Sequence, residues 1–394
     1  MKISVLLIYL SYFCCLFLGN NILIALGYKD SFWGKYLPHP AIYLLSLAFV
    51  FSSWRNILRY KEELKLFIFL FIAVIVTMLL NGAKFPYGTF YPSIMLPALL
   101  SVTLSECKGM ISKKFLQKIF YLYFIIECSL AIVEKLQGNV FFPELGFETY
   151  FNTGNDSFRA FSLRGHPLSN ASFVSLMICF IIVSCKSRII KNGLILLGFM
   201  SLLCFNSRFS LVITTLVYVI FVIRDFKKSS TNYRIFYIII ITLSIYYAFS
   251  LFAKGWGDRI IEQGLNDDSA AARLVALQIV TDNSIFDFLK GYDAATIENI
   301  TNSMEGIGAA IENCWIIFLL QYGIVFLCLG IYYYIPVFRK QCKDYSRIDA
   351  YIIIIPWLLI VSSSNSIATG GLTICSLFLL MFAFSQNNTY NKLR

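Results

Sequence analysis

The amino-acid sequence predicts an all-α polytopic integral membrane protein with about 12 transmembrane helices and one large outer loop containing short helices. Three observations predict it. The 394 residues are 58% hydrophobic and 14% charged, against roughly 25% charged in a soluble protein. Apolar runs rich in Ile, Leu and Phe recur along the whole chain, each long enough for a span of about 20 residues or somewhat less where Gly or Pro interrupts. Lys and Arg fall unequally between the two sides that those runs define, as topogenic cations do.

Taken in order, the runs predict helices over 3–26, 37–53, 66–80, 90–105, 119–135 and 167–185, then 193–206, 209–223, 235–253, 312–335, 350–364 and 370–385. The first run is too long for a cleaved signal segment and lacks a small-residue cleavage site, so it reads as a retained helix. One side collects 22 of the 33 Lys and Arg residues, including Lys2, Arg55, Lys113, Arg188, Arg224, Arg339 and Arg394. That side is read as cytoplasmic, with both termini on it. The chain then forms a single membrane domain, 1–394, with two long loops outside, 136–165 and 254–311.

The formal charge of +11 follows from these topogenic clusters and gives no support to nucleic-acid binding. Of the eleven Cys, only Cys314 falls near the outer face, so no disulfide framework is expected. No Walker sequence, nucleotide-binding glycine fingerprint, HExxH or Asp-x-Asp motif occurs, which removes support for hydrolytic motors and metal-dependent nucleotide-sugar enzymes.

Five places carry candidate chemistry. Arg159, Arg164 and His166 lie within eight residues before the sixth helix; a guanidinium fork suits phosphate oxygens, and anchoring to lipid headgroups is the bland alternative. Arg208 interrupts an apolar stretch at a tight outer hairpin, either facing protein or snorkelling. Arg273 follows the capping run Asn266–Ser269, where it answers to a bound anion or to Asp267 and Asp268. Glu312 and Asn313 open the tenth helix, and a buried Glu312 is a candidate general base. Glu127 is the clearest ionisable residue at mid-span and so functional by default, though the sequence offers it no evident partner. His39, between Pro38 and Pro40, reads as structural.

With these residues in order, the chain resembles the bacterial O-antigen polymerases of the Wzy type, in the superfamily that includes the O-antigen ligases. The resemblance rests on overall topology and on Arg159–Pro167, Ser207-Arg208, Arg273 with 285–291 beyond it, and Glu312-Asn313 through Gly323. It implies metal-independent glycosyl transfer, without a cofactor, at the periplasmic face of the bacterial cell inner membrane. Undecaprenyl-diphosphate-linked oligosaccharides are implied as donor and acceptor, and a chain-length regulator and a flippase as partners. It assigns Arg159, Arg164, Arg208 and Arg273 to the diphosphate and offers Glu312 or His166 as base. Ligases typically carry a His before the Asn where Glu312 stands, which favours polymerase over ligase. A flippase would call for charged mid-span residues and related halves, neither of which is evident.

Overall fold

The computed structural model describes residues 2–28, 38–80, 86–142, 158–228, 311–368 and 371–385, with parts of 231–250 and 276–300. Every regular element among them is helical. They are α1 (Ile3–Phe17), α2 (Asn20–Ala25), α3 (Pro40–Ser52), α4 (Lys61–Leu80), α5 (Tyr87–Cys107), α6 (Lys113–Gln137), α7 (Pro167–Ser184), α8 (Arg188–Phe205), α9 (Arg208–Lys228), α10 (Cys314–Cys342), α11 (Arg347–Ser362) and α12 (Thr373–Phe384). Seven of these, α4 to α10, are long and apolar enough to cross a membrane, and α1, α3 and α12 are shorter apolar helices. The protein is therefore a polytopic α-helical membrane protein.

Short connections join α4 to α5, α5 to α6, α7 to α8, α8 to α9 and α10 to α11, as antiparallel neighbours require. One end is marked by ion pairs between helix termini: Lys108 with Asp344 at 2.5 Å, Arg188 with Asp225 at 3.5 Å, Arg224 with Asp349 at 3.4 Å, and Lys340 with the buried Glu63. This end carries most of the cations counted from the sequence. Helix α9 finishes here, whereas α10 starts at the opposite end, where the Cys314 N–H donates to Ser364 O at 3.0 Å. The helix expected over 235–253 lies largely outside the described residues, as do Arg273 and its capping run.

Burial separates helices that hydropathy treats alike. In α4 and α9 only 22% and 28% of the span is buried, so their Phe71, Leu79 and Ile220 side chains face the bilayer. In α5 and α7 the share is 72%, and in α12 every residue after Thr373 is buried. Helix α12 touches α1, α5, α6, α7 and α10 and forms the axis of the bundle.

Two helices break, one at the polar Gly19-Asn20-Asn21 and one within an apolar run at Gly323. Helix α1 stops at Phe17 and resumes as α2 after Gly19, so the single helix expected over 3–26 is two. A Cβ on Gly19 would stand 2.0 Å from Leu163 O, which shows how closely the 158–166 loop lies on this break. Helix α10 contains Gly323 at φ 82°, ψ 164°, outside helical geometry. Leu289 and Gly291 fill that gap, with Tyr292 N–H donating to Leu320 O at 2.6 Å. An apolar cluster of Ala276, Ile279, Phe288 and Ile311 on Ile316 and Leu320 seats the same part of the loop on α10.

Candidate functional site at the loop before α7

Residues 158–166 join the end of α6 to α7 across the end of the bundle away from the ion pairs. A loop at this depth must satisfy its backbone groups internally, and two carboxylates on one face of α6 do so. Glu134, fully buried, accepts the N–H groups of Phe161 at 2.7 Å, Ser162 at 2.8 Å and Phe141 at 3.0 Å. Two turns earlier, Glu127 accepts the N–H of Leu163 at 3.1 Å and the Tyr123 hydroxyl at 3.2 Å. Ser162 takes the left-handed φ of 46° and donates its hydroxyl to Glu127 O at 2.9 Å. Asn21 of α2 donates to Ser162 O at 2.9 Å and Phe142 O at 3.0 Å, and Asn170 of α7 donates to Phe161 O.

This framework aims the charged side chains of the loop in two directions. Arg164 turns inward: its Nη1 donates to Cys15 O at 3.3 Å, its guanidinium stacks over Phe173 at 4.0 Å, and its charge acts on Glu127 and Tyr123. Glu127 thus has a cationic neighbour, 37 positions along the chain. Arg159 stays near the outer end, where its Nε donates to Phe205 O, the last residue of α8, at 3.2 Å. Ala160 N–H is tied to Cys204 O at 3.0 Å, and Lys135 donates to Phe158 O at 3.1 Å. Lys135 and Glu134, absent from the sequence candidates, are both part of this site.

Asn206 closes α8 in the left-handed conformation at φ 54°, and α9 begins at Arg208. The tight hairpin expected at Arg208 is present, and it sets that half-buried residue three positions after the carbonyl that Arg159 holds. Asn313 caps α10, accepting from Trp315 N–H at 3.0 Å and Ile316 N–H at 3.3 Å. Its neighbour Glu312 is half-buried.

His166 lies between these groups. It is the residue before α7 and makes no capping bond with its side chain. The residue is exposed, yet the surrounding protein withdraws enough water to push its pKa down to about 4; Arg159 adds to the depression and Glu312 opposes it. Both charges therefore lie within electrostatic reach of the imidazole, which is neutral at pH 7. Arg159 and Glu312, 153 positions apart in the chain (312 − 159), thus both act on His166 at one end of the bundle. His39 is structural, as expected: it caps α3 by accepting from Ala41 N–H at 3.2 Å, and its Nε2 meets Leu18 O at 2.6 Å.

Among the described residues no three His, Cys, Asp or Glu side chains form a metal-holding group. What the arrangement offers chemically is guanidinium donors, a neutral imidazole and a carboxylate, next to the N-terminal ends of α7 and α9, whose free amides favour negative charge. No family model, curated protein or solved structure matches the chain.

Proposed function

We propose that the protein is a polysaccharide polymerase of the O-antigen or capsule kind, moving a glycan from undecaprenyl diphosphate onto a lipid-linked repeat unit. In this reading the chain crosses the bacterial inner membrane twelve times, keeps both termini in the cytoplasm, and works at the periplasmic face. The observation that carries the proposal is that Arg159 and Glu312 both act electrostatically on His166 at the end of the bundle away from the ion pairs.

The chemistry follows from charge. A hydroxyl of the acceptor sugar attacks the anomeric carbon of the donor, forming the new C–O bond. The bond from that carbon to the diphosphate breaks, and the lipid diphosphate leaves with the electron pair. Arg159 and Arg208, aided by the ends of α7 and α9, stabilise the departing charge. Glu312 or His166 takes the acceptor proton, and the other group orients the hydroxyl. Arg164 sits deeper and supports the loop through Glu127, while Arg273 remains assigned to the diphosphate by resemblance.

The test is replacement of Arg159 by Ala, or Glu312 by Gln, in a cell that displays the glycan, followed by gel resolution of its chain lengths. Single repeats at the surface with no longer rungs support polymerisation. An unchanged ladder contradicts the assignment, and loss of the single repeat as well points to transport.

A further inference from the structure

A groove of about 1080 Å³ runs along α10 and α11, floored by Ser93 and Ile94 of α5 and by Ile367 and Ile374 beside α12. Most of its wall is apolar or aromatic, including Phe326, Tyr334, Phe338 and Trp357. Its mouth differs. At the end of the bundle away from His166, the groove is bordered by Arg339, Lys343 and Arg347, all exposed. The cations and anions around them are already matched: Lys340 with Glu63, Lys108 with Asp344, and Arg224 with Asp349. Among the described residues these pairs engage Glu63, Asp344 and Asp349, and Arg339, Lys343 and Arg347, which border an apolar channel, form no ion pair with any of those residues.

We infer that this groove binds an anionic phospholipid from the leaflet at that end, its phosphate held by Arg339, Lys343 and Arg347 and its acyl chains laid along α10. Charge complementarity identifies the occupant. A lipid whose headgroup reacts beside Arg159 and His166 has no use for cations at the other end, whereas a phospholipid of the near leaflet needs its head there. Length agrees. Half of a ~30 Å hydrocarbon core is about ten helical residues, which carries chains from Arg339 to Gly330. Gly330 lines the groove there, and a Cβ added to it would lie in ordinary contact, 3.9 Å, with ring atoms of Phe326 and Phe69.

The choice of a phospholipid over the donor lipid rests on the glycosyl-transfer reading, whereas lipid retention is read without any activity: the test uses the purified full-length protein in native mass spectrometry with phosphatidylglycerol or phosphatidylcholine. The wild type retains phosphatidylglycerol in preference. The triple change Arg339→Gln, Lys343→Gln, Arg347→Gln, all at exposed positions, lowers that retention at least fivefold and leaves phosphatidylcholine unaffected. Gly330→Trp, which fills the groove and keeps the cations, lowers it as well; Arg347→Gln alone gives a partial loss should the triple variant prove unstable. Equal retention of the two lipids, unaltered retention by the variants, or displacement of phosphatidylglycerol by a polyprenyl phosphate overturns the inference.

Discussion

Glu134 Oε2 accepts the N–H of Ser162 at 2.8 Å, fixing the loop that carries Arg159, Arg164 and His166 to the end of α6. The same oxygen accepts from Phe161, so one buried carboxylate orients two successive peptide groups.

Replacing Glu134 by Gln puts an amide NH₂ where these N–H groups need an acceptor. Each buried donor left unsatisfied costs roughly 1–3 kcal/mol, so the melting temperature falls and the amides of 160–163 exchange faster with deuterium. Hydrogen exchange measured by mass spectrometry checks this, and protection equal to wild type in that loop refutes the role of Glu134.

Arg159 donates through Nε to Phe205 O at 3.2 Å, and its guanidinium is a planar fork of donors. Lysine keeps the charge but has neither that donor nor the planar fork. Arg159→Lys is expected to lose activity by about tenfold or more, near one bidentate interaction in size, with little change in stability. Recovery of full turnover with Lys contradicts a bidentate role.

The depressed pKa of His166 sets a sign. Unfolded, the imidazole titrates near 6.5; folded, it titrates at about 4. Between those values the unfolded chain binds more protons, so this residue makes the fold less stable as pH falls from about 6.5 towards 4, and makes no difference above that window. The pH dependence of melting, compared between wild type and His166→Gln, should show a steeper loss in the wild type. A bound diphosphate adds negative charge and raises the imidazole pKa. Identical profiles with and without His166 dismiss this reading.

Gly323 holds a backbone that side chains rarely adopt, at φ 82°, and an added Cβ would stand 2.5 Å from Leu289 O. Gly323→Val combines left-handed strain of about 1–2 kcal/mol with eviction of residues 289–291 from the break in α10. Lower thermal stability and faster proteolysis within 276–311 are expected. Unchanged proteolysis shows that the glycine contact does not hold the loop.

The parts of this fold legible in the sequence were those set by local pattern. Helix positions followed from apolar length, and the hairpin at Arg208 from a polar triplet inside an apolar run. Glu127 stood out as an ionisable residue at mid-span, but its neighbour Arg164 is 37 positions away and was read as facing outward. Nothing in a single sequence says that two such residues share a face of the bundle. The break at Gly323 was hidden because the apolar run continues through it, and its cause, Gly291, lies in a distant loop. Nor does hydropathy distinguish α12, enclosed by other helices, from α4, which leaves most of its span exposed, since protein interior and lipid are equally apolar.

The central claim is that Arg159, His166 and Glu312 form one reaction centre for a lipid-diphosphate donor. The direct measurement is elongation by the purified protein in vesicles supplied with an undecaprenyl-diphosphate-linked repeat unit, read as chain length on a gel. The account predicts long products from the wild type, none from Arg159→Ala, and a loss of about 10²–10⁴ in rate for Glu312→Gln, with all three proteins equally folded. Elongation by both variants at the wild-type rate would contradict it.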